Sequence, residues 1–295
     1  MRWVAASTLL AITACVPQPA PPPPLPPRIT LQPAPTPAPL PPARFTLAGP
    51  MEQGGVVLGS APIGTVALRL GDVPVPVAPD GRFVIGFDRD APPSLALVAT
   101  RSDGSVVREP LTIAPRAWRI ERLNSLARYA QPSAEFMRLR TPELQRIAAA
   151  RGRETGAQGW RQRFDWPARG RISGLFGAQR VYRGEPGAYH SGVDVARPDG
   201  WPVTAPADGV VILSVDKPFT LEGNLLMIDH GMGLNSAFLH LSAITVREGE
   251  AVKRGQLIGR VGHTGRATGP HLHWGMKWGE ARIDPLLLAG PMPAK

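Results

Sequence analysis

Cysteine is almost absent from this chain of 295 residues: Cys15 is the only one, so no disulfide can form within the molecule. Aromatic residues contribute only 6%, so any core must rest largely on aliphatic side chains. The leading apolar run, residues 3–12, is too short to cross a bilayer as a helix. The 33 Lys and Arg residues are scattered, and no motif interleaves basic with aromatic residues. That argues against a nucleic-acid partner. The net charge of +10 still favours an anionic partner, such as cell-wall polymer or lipid headgroups. An arginine-preferring genome would explain it equally well. Histidine is scarce too: there are six, at 190, 230, 240, 263, 271 and 273.

What is abundant is proline (35) and glycine (32), and both are unevenly spread. The N-terminus reads as a secretion signal, with Arg2 ahead of the apolar run. Ile12-Thr13-Ala14-Cys15 resembles a bacterial lipobox, which makes Cys15 the expected lipidation site and new N-terminus. Val16 follows, with no Asp to suggest inner-membrane retention, so the expected address is the outer membrane, facing the periplasm. The competing reading is a plain signal cleaved after Ala14 or Ala20. Residues 16–43 are half proline and read as an extended linker. At ~3.1 Å per residue such a linker reaches on the order of 80 Å.

Residues 44–116 carry strand-like runs at 66–70, 82–87, 95–100 and 106–113, separated by Gly-Asp and Asp-Gly turns. They predict a small immunoglobulin-like β-sandwich. It holds no cluster of catalytic residue types, so it reads as a spacer or docking module. Residues 117–160 form a connector, with a helix expected to start at Thr141-Pro142-Glu143 and to end at Gly152 or Gly156. An earlier helical turn over 133–139 is plausible. Residues 161–290 are turn-rich, with strands expected near 203, 209–215, 224–229, 234–239, 256–261 and 271–276. The chain is thus expected to be all-β apart from its connector. Nothing in it sets an oligomeric state.

His271-Leu272-His273 aims two imidazoles at one face of a strand. His190 and Asp194 supply another imidazole and a carboxylate four residues apart, where Gly192 and two valines disfavour a helix. Two histidines and one carboxylate suit zinc, and a catalytic zinc leaves a fourth position for water. His273 would complete such a set, His271 would be free for acid–base work, and His240 could join the same cavity. By spacing alone each pair is a weak signal. His230 and His263 read as structural or surface groups. Trp274 should be core, and Trp278 could line a groove.

Several segments together carry a family resemblance. They are Gly187 through Asp194, Ala205-Pro206-Ala207-Asp208-Gly209, Met227-Ile228-Asp229-His230-Gly231, Phe238-Leu239-His240-Leu241-Ser242, and the run from Gly255 to His273. Residues 166–285 thereby resemble the lysostaphin-type (LytM-like) zinc metallopeptidases that cut peptidoglycan peptides. The resemblance implies a barrel-sandwich-hybrid-like domain. It makes His190, Asp194 and His273 zinc ligands, with His240 and His271 similar to the family's catalytic histidines. Phe238 departs from a usual tyrosine, and His263 from a usual small residue. Two other readings compete: a non-catalytic member of the same fold that binds cell wall or activates an amidase, and a biotinyl- or lipoyl-type carrier. The carrier reading lacks a lysine in the turn 229–233.

Overall fold

The computed structural model describes residues 44–125 and 132–293. The signal-like segment, Cys15 and the proline-rich stretch 16–43 lie outside the described residues. Seven strands come first: β1 (Thr46–Ala48), β2 (Val56–Ser60), β3 (Thr65–Leu70), β4 (Val73–Pro74), β5 (Arg82–Gly86), β6 (Ser94–Arg101) and β7 (Val106–Thr112). They form two antiparallel sheets, ordered β1-β2-β5 and β4-β3-β6-β7. This is an immunoglobulin-like sandwich, with β4 joined to the sheet of β3, β6 and β7. Alternation explains its core: Leu97 and Ala99 of β6 and Leu111 of β7 are buried with Val57, Phe83 and Ile85 from the other sheet. The sequence did not announce β1, β2 or β4. The first and last have three and two residues, and β2 is Val-Val-Leu-Gly-Ser with no polar alternation.

The chain then runs through β8 (Ile120–Leu123) into helix α1 (Ala134–Arg151). The helix corrects the expectation for the connector. Ser133, not Thr141, is the N-cap, its hydroxyl accepting from Phe136 N–H at 3.1 Å, and Pro142 lies inside the helix. Proline removes one backbone donor and would normally break a helix. Here both flanks are pinned. Buried Arg140 makes two bonds to Glu222 (2.6 and 2.7 Å), and Glu143 accepts from the backbone and hydroxyl of Thr220 (2.7 and 2.6 Å). One turn later Ile147 and Ala150 are buried. Gly152 ends the helix.

The C-terminal domain has β9 (Arg171–Gly174), β10 (Gln179–Tyr182), β11 (Glu185–Tyr189), β12 (Gly192–Ala196), β13 (Pro202–Thr204), β14 (Gly209–Ser214), β15 (Asn224–Gly231), β16 (Leu234–Leu241), β17 (Ala243–Ile244), β18 (Ala251–Val252), β19 (Leu257–Arg260), β20 (His271–Trp278) and β21 (Ala281–Ile283). The short helix α2 (Pro285–Ala289) follows. The main sheet is ordered β18-β14-β15-β16-β20-β12-β9, with β21 on β20. One face carries Val193, Val195, Phe238, Leu272 and Trp274, which pack with Val203, Ile258 and Val261 of the sheet β13-β19-β17 and its flank. The other face carries Met227 and Ala237, against which Ile147 and Ala150 of α1 are packed. His230 is fully buried between Asp208 O and Ser236 Oγ, both at 2.8 Å, and burial lowers its pKa to about 4, so it is a neutral structural group.

The sandwich is fused to this domain rather than strung beside it. β8 pairs parallel with β10 and so extends the sheet β11-β10. Arg116 bonds Asp284 (2.8 Å), Asp88 accepts from the Arg282 N–H (2.8 Å), and Asp284 N–H reaches Gly54 O (2.9 Å). Gly86 of β5 comes so close that a Cβ there would stand 2.6 Å from Ile283 and 2.9 Å from Trp278. Trp278 is therefore only 5% exposed. It lines no groove, because β5 covers it.

Removing the sandwich would bare Trp278 and Ile283, a cost of roughly 3–6 kcal/mol. At about 2–4 °C per kcal/mol, a 132–295 fragment is expected to melt ~10 °C or more below a 44–295 protein, or to show no cooperative transition. Calorimetry checks this. Equal midpoints would mean that the sandwich lends the C-terminal domain no stability.

Candidate active site

Strand register assembles the cluster. β12 and β20 run antiparallel with Asp194 opposite His273, and β16 sets Leu239 opposite His273 on the other side. Side chains directly opposite share a face, so Asp194 and His273 project together, and His271 follows two residues away. His190 lies between β11 and β12, where its N–H donates to Ala178 O (2.8 Å). Its ring Nδ1–H donates to Leu175 O (3.0 Å), which turns Nε2 inward. Nε2 stands 3.0 Å from both Asp194 Oδ1 and His273 Nδ1, and His273 Nδ1 stands 2.9 Å from the same carboxylate oxygen.

These three ligand atoms are grouped tightly enough to hold one metal ion, all lying within 4.8 Å of one another. A zinc ion about 2.0–2.1 Å from its nitrogens in tetrahedral geometry sets neighbouring ligand atoms ~3.3 Å apart. The observed separations need only slight expansion. Two imidazoles and one carboxylate with room for a fourth group form a donor set zinc accepts in catalytic sites.

The electrostatics agree with a cation-ready cluster. Burial alone would raise the Asp194 carboxyl, but hydrogen bonds from His190 and His273 and their charge hold it far below the usual carboxylate range. Burial opposes protonation of His190, yet Asp194 outweighs it and raises that imidazole. For His273 burial wins and the pKa is lowered. The site thus offers an ionised carboxylate and a neutral imidazole at its deepest point.

His240 and His271 complete the wall, their ring centroids 4.9 Å apart. Strand alternation alone would send His240 to the core side with Phe238. Instead His240 has φ +64°, and this left-handed residue re-aims the ring towards the other histidines. Histidine is among the non-glycine residues enriched there, and such conformations gather at functional sites. His240 Nδ1–H donates to Thr264 O (2.9 Å) and His271 Nδ1–H to Gly269 O (2.8 Å). Both rings therefore keep Nε2 as a free lone pair. Burial lowers the His240 pKa to about 4, with His271 and His273 adding to the effect.

All five histidine and aspartate positions read from the sequence are thus brought together, and His230 and His263 are not. His263 pairs with Asp199 (2.8 Å) at the surface. Trp274 is fully buried, edge-on to Trp166 at 5.6 Å. Phe238 is fully buried on the core face, so the hydroxyl of a tyrosine would point away from the histidines. Sequence reasoning missed the supporting groups. They are the carbonyls of Leu175, Thr264 and Gly269, whose roles carry no side-chain signal, and Gly174. A Cβ on Gly174 would stand 2.3 Å from Asp194 Oδ2 and 3.1 Å from His190 Cε1. Arg89 of the sandwich was missed too. It is buried and donates to Gly177 O (3.1 Å), and the Gly177 N–H bonds His190 O (2.8 Å).

Comparison with known proteins bears on the same segment. Residues 188–285 match Peptidase family M23. Peptidoglycan DD-endopeptidase ShyA of Vibrio cholerae is 43% identical over 114 residues, 38% of this chain and 26% of that protein. DD-carboxypeptidase/endopeptidase Mpg of Neisseria meningitidis is 42% identical over 127 residues, 42% of this chain and 28% of that protein. The chain thus spans about a quarter of the length of these curated relatives. A Pseudomonas aeruginosa crystal structure described as peptidase M23 superposes with a TM-score of 0.62 at 29% identity, covering 81% of this chain and 95% of that one.

Gly174→Ala is expected to displace the Asp194 carboxylate and lower zinc affinity about 10–100-fold, the usual cost of disturbing the support of a ligand. Competition against a chelating indicator reads the affinity directly. Unchanged affinity would show that Asp194 does not hold the ion.

Proposed function

We propose that residues 188–285, which match Peptidase family M23, form a peptidase domain of that (LytM-type) family and that the protein is a zinc-dependent endopeptidase that hydrolyses the peptide cross-links of peptidoglycan. The observation that carries this reading is the convergence of His190, Asp194, His273, His240 and His271 into one cluster. An inactive cell-wall binder of the same fold would have no need of all five.

His190, Asp194 and His273 would hold the zinc ion. A zinc ion so bound acidifies water and polarises a carbonyl. The remaining work belongs to the two free imidazoles. His240 is neutral, with its only ring N–H tied to Thr264 O, so Nε2 accepts a proton from the water that attacks the scissile carbon. His271 is held in the same tautomer by Gly269 O, with Nε2 3.8 Å from Asp194 Oδ1. The proton that His240 takes from the water is the one it returns to the leaving amine, while His271 lines the other side of the reacting centre and orients the substrate there. Neither ring needs to rotate, because a backbone carbonyl fixes each one.

The lipobox-like Ile12-Thr13-Ala14-Cys15 and the proline-rich 16–43 support a second part of the proposal. Cys15 carries a lipid anchor in the outer membrane, and the linker lets the enzyme reach the wall from the periplasmic side. Membrane fractionation is expected to recover wild type with the outer membrane and Cys15→Ser elsewhere. Identical fractionation of the two would overturn the anchor.

His240→Ala and His271→Ala are expected to retain one zinc per chain while losing about 10²–10⁴-fold in hydrolysis. The assay is digestion of purified sacculi by the 44–295 protein, with and without chelator, followed by mass analysis of released peptides. Wild-type rates in either variant would remove that histidine from the mechanism. Chelator-insensitive cleavage would remove zinc.

A further inference from the structure

The ring of His273 has a second edge. Nδ1 faces Asp194, while Nε2 looks along the sheet towards Gly275, where a Cβ would stand 3.6 Å away. Beyond it lies a cavity of about 210 Å³, roofed by Ile147 and Arg151 of α1 and floored by Ala237 and Gly275, with Lys277 and Arg282 also lining it. His273, Gly275 and Lys277 share one face of β20, so from His273 to Lys277 the trough follows the strand for ~13 Å, about the length of four extended residues.

The charges at its far end are unbalanced. Lys277 is paired with Glu280 at 2.7 Å, but that carboxylate is fully exposed. Arg282 packs its guanidinium over Tyr189, 5.1 Å from the ring centroid. Arg151 has no hydrogen-bond or ion-pair partner among the described residues, and its Nε is buried and unsatisfied. Burial accordingly weakens its hold on its proton, with Glu280 opposing and Arg282 adding to the effect. A half-buried guanidinium whose Nε has no acceptor is costly, and an anion entering the trough would supply one. The floor, by contrast, is small and apolar next to the reacting centre, which suits a peptide backbone.

From this we infer that the trough is a substrate subsite: it holds one arm of an extended anionic peptide, whose free carboxylate is met by Arg151 with Lys277 and Arg282 beside it. The inference rests on the endopeptidase reading for the reaction, but not for the binding. It gives α1, which the sequence presents only as a connector, a place in specificity.

The test uses the full zinc-loaded protein and two cross-linked muropeptide substrates, one with free carboxylates and one with the same groups amidated. Wild type is expected to prefer the free acid about 10-fold, mainly through KM, the size of one hydrogen bond to a charged group. Arg151→Gln should bring that ratio near unity by raising KM for the free acid more than for the amide. Gly275→Ala, whose new methyl would meet only ordinary contacts at 3.5 and 3.6 Å, should fold, keep zinc and raise KM for both substrates. If Arg151→Gln slows both substrates equally, or leaves the preference intact, the subsite is wrong. If wild type cuts neither substrate, the endopeptidase reading fails by itself. Fluorescence anisotropy with a labelled acidic stem peptide and its amidated form then decides the subsite: preferential binding of the acid that is lost in Arg151→Gln upholds it, and equal binding overturns it.

Discussion

One carboxylate oxygen, Asp194 Oδ1, meets two imidazole nitrogens at 3.0 and 2.9 Å, and the fold is arranged around keeping it there. An ionised carboxylate taken out of water needs compensation, and paired imidazoles or a metal ion supply it. The pairing of β12 with β20 holds one imidazole, because Asp194 lies directly across from His273. A one-residue slip of that register would send His273 to the core side and bring Leu272 to the site. The buried row of Val193, Val195, Leu272 and Trp274 forbids that slip. The hydrophobic core thus sets the geometry of the cluster through register.

The remaining three histidines are oriented by backbone carbonyls. Leu175 O fixes His190, Thr264 O fixes His240 and Gly269 O fixes His271, each through Nδ1–H, so every one of these rings presents Nε2 inward. A carbonyl has no proton to exchange, so the tautomers do not depend on the state of any neighbouring acid or base. The left-handed backbone at His240 has a local cost, which its fixed neighbours offset: the His240 N–H donates to Glu222 O at 2.8 Å, and the Glu222 carboxylate is clasped by Arg140 of α1.

This division between side-chain and backbone roles explains what could be read in advance. That these histidines and Asp194 come together was legible because histidine is rare here and stands in tight spacings, and the long strands of the C-terminal domain were legible from glycine punctuation. Arg89, Gly174 and the three orienting carbonyls were not. An arginine 101 residues before His190 has no local pattern linking the two, a glycine's reason lies in a neighbour brought close only by folding, and every residue has a carbonyl. Thr141-Pro142-Glu143 misled for a related reason. The triplet has the local form of a helix start, but the tertiary bonds of Arg140 to Glu222 and of Glu143 to Thr220 carry the helix through the proline. His240 would likewise have been placed in the core by alternation, had only the strand period been used.

The sandwich at the N-terminal end is coupled to the least constrained member of the cluster. His190 stands in the link between β11 and β12, outside the main sheet's ladder, so register does not fix it as it fixes His273. What holds its backbone is the pair of bonds to Ala178 and Gly177. That turn is in turn gripped by Arg89, while Trp118 packs against Phe176 with ring centroids 5.7 Å apart, and β8 pairs with β10. A side chain on a link needs an external frame if it is to be held within a few tenths of an ångström of its partners, and here the sandwich supplies that frame. The module that reads as a spacer in the sequence therefore helps to hold His190 in the histidine–aspartate cluster.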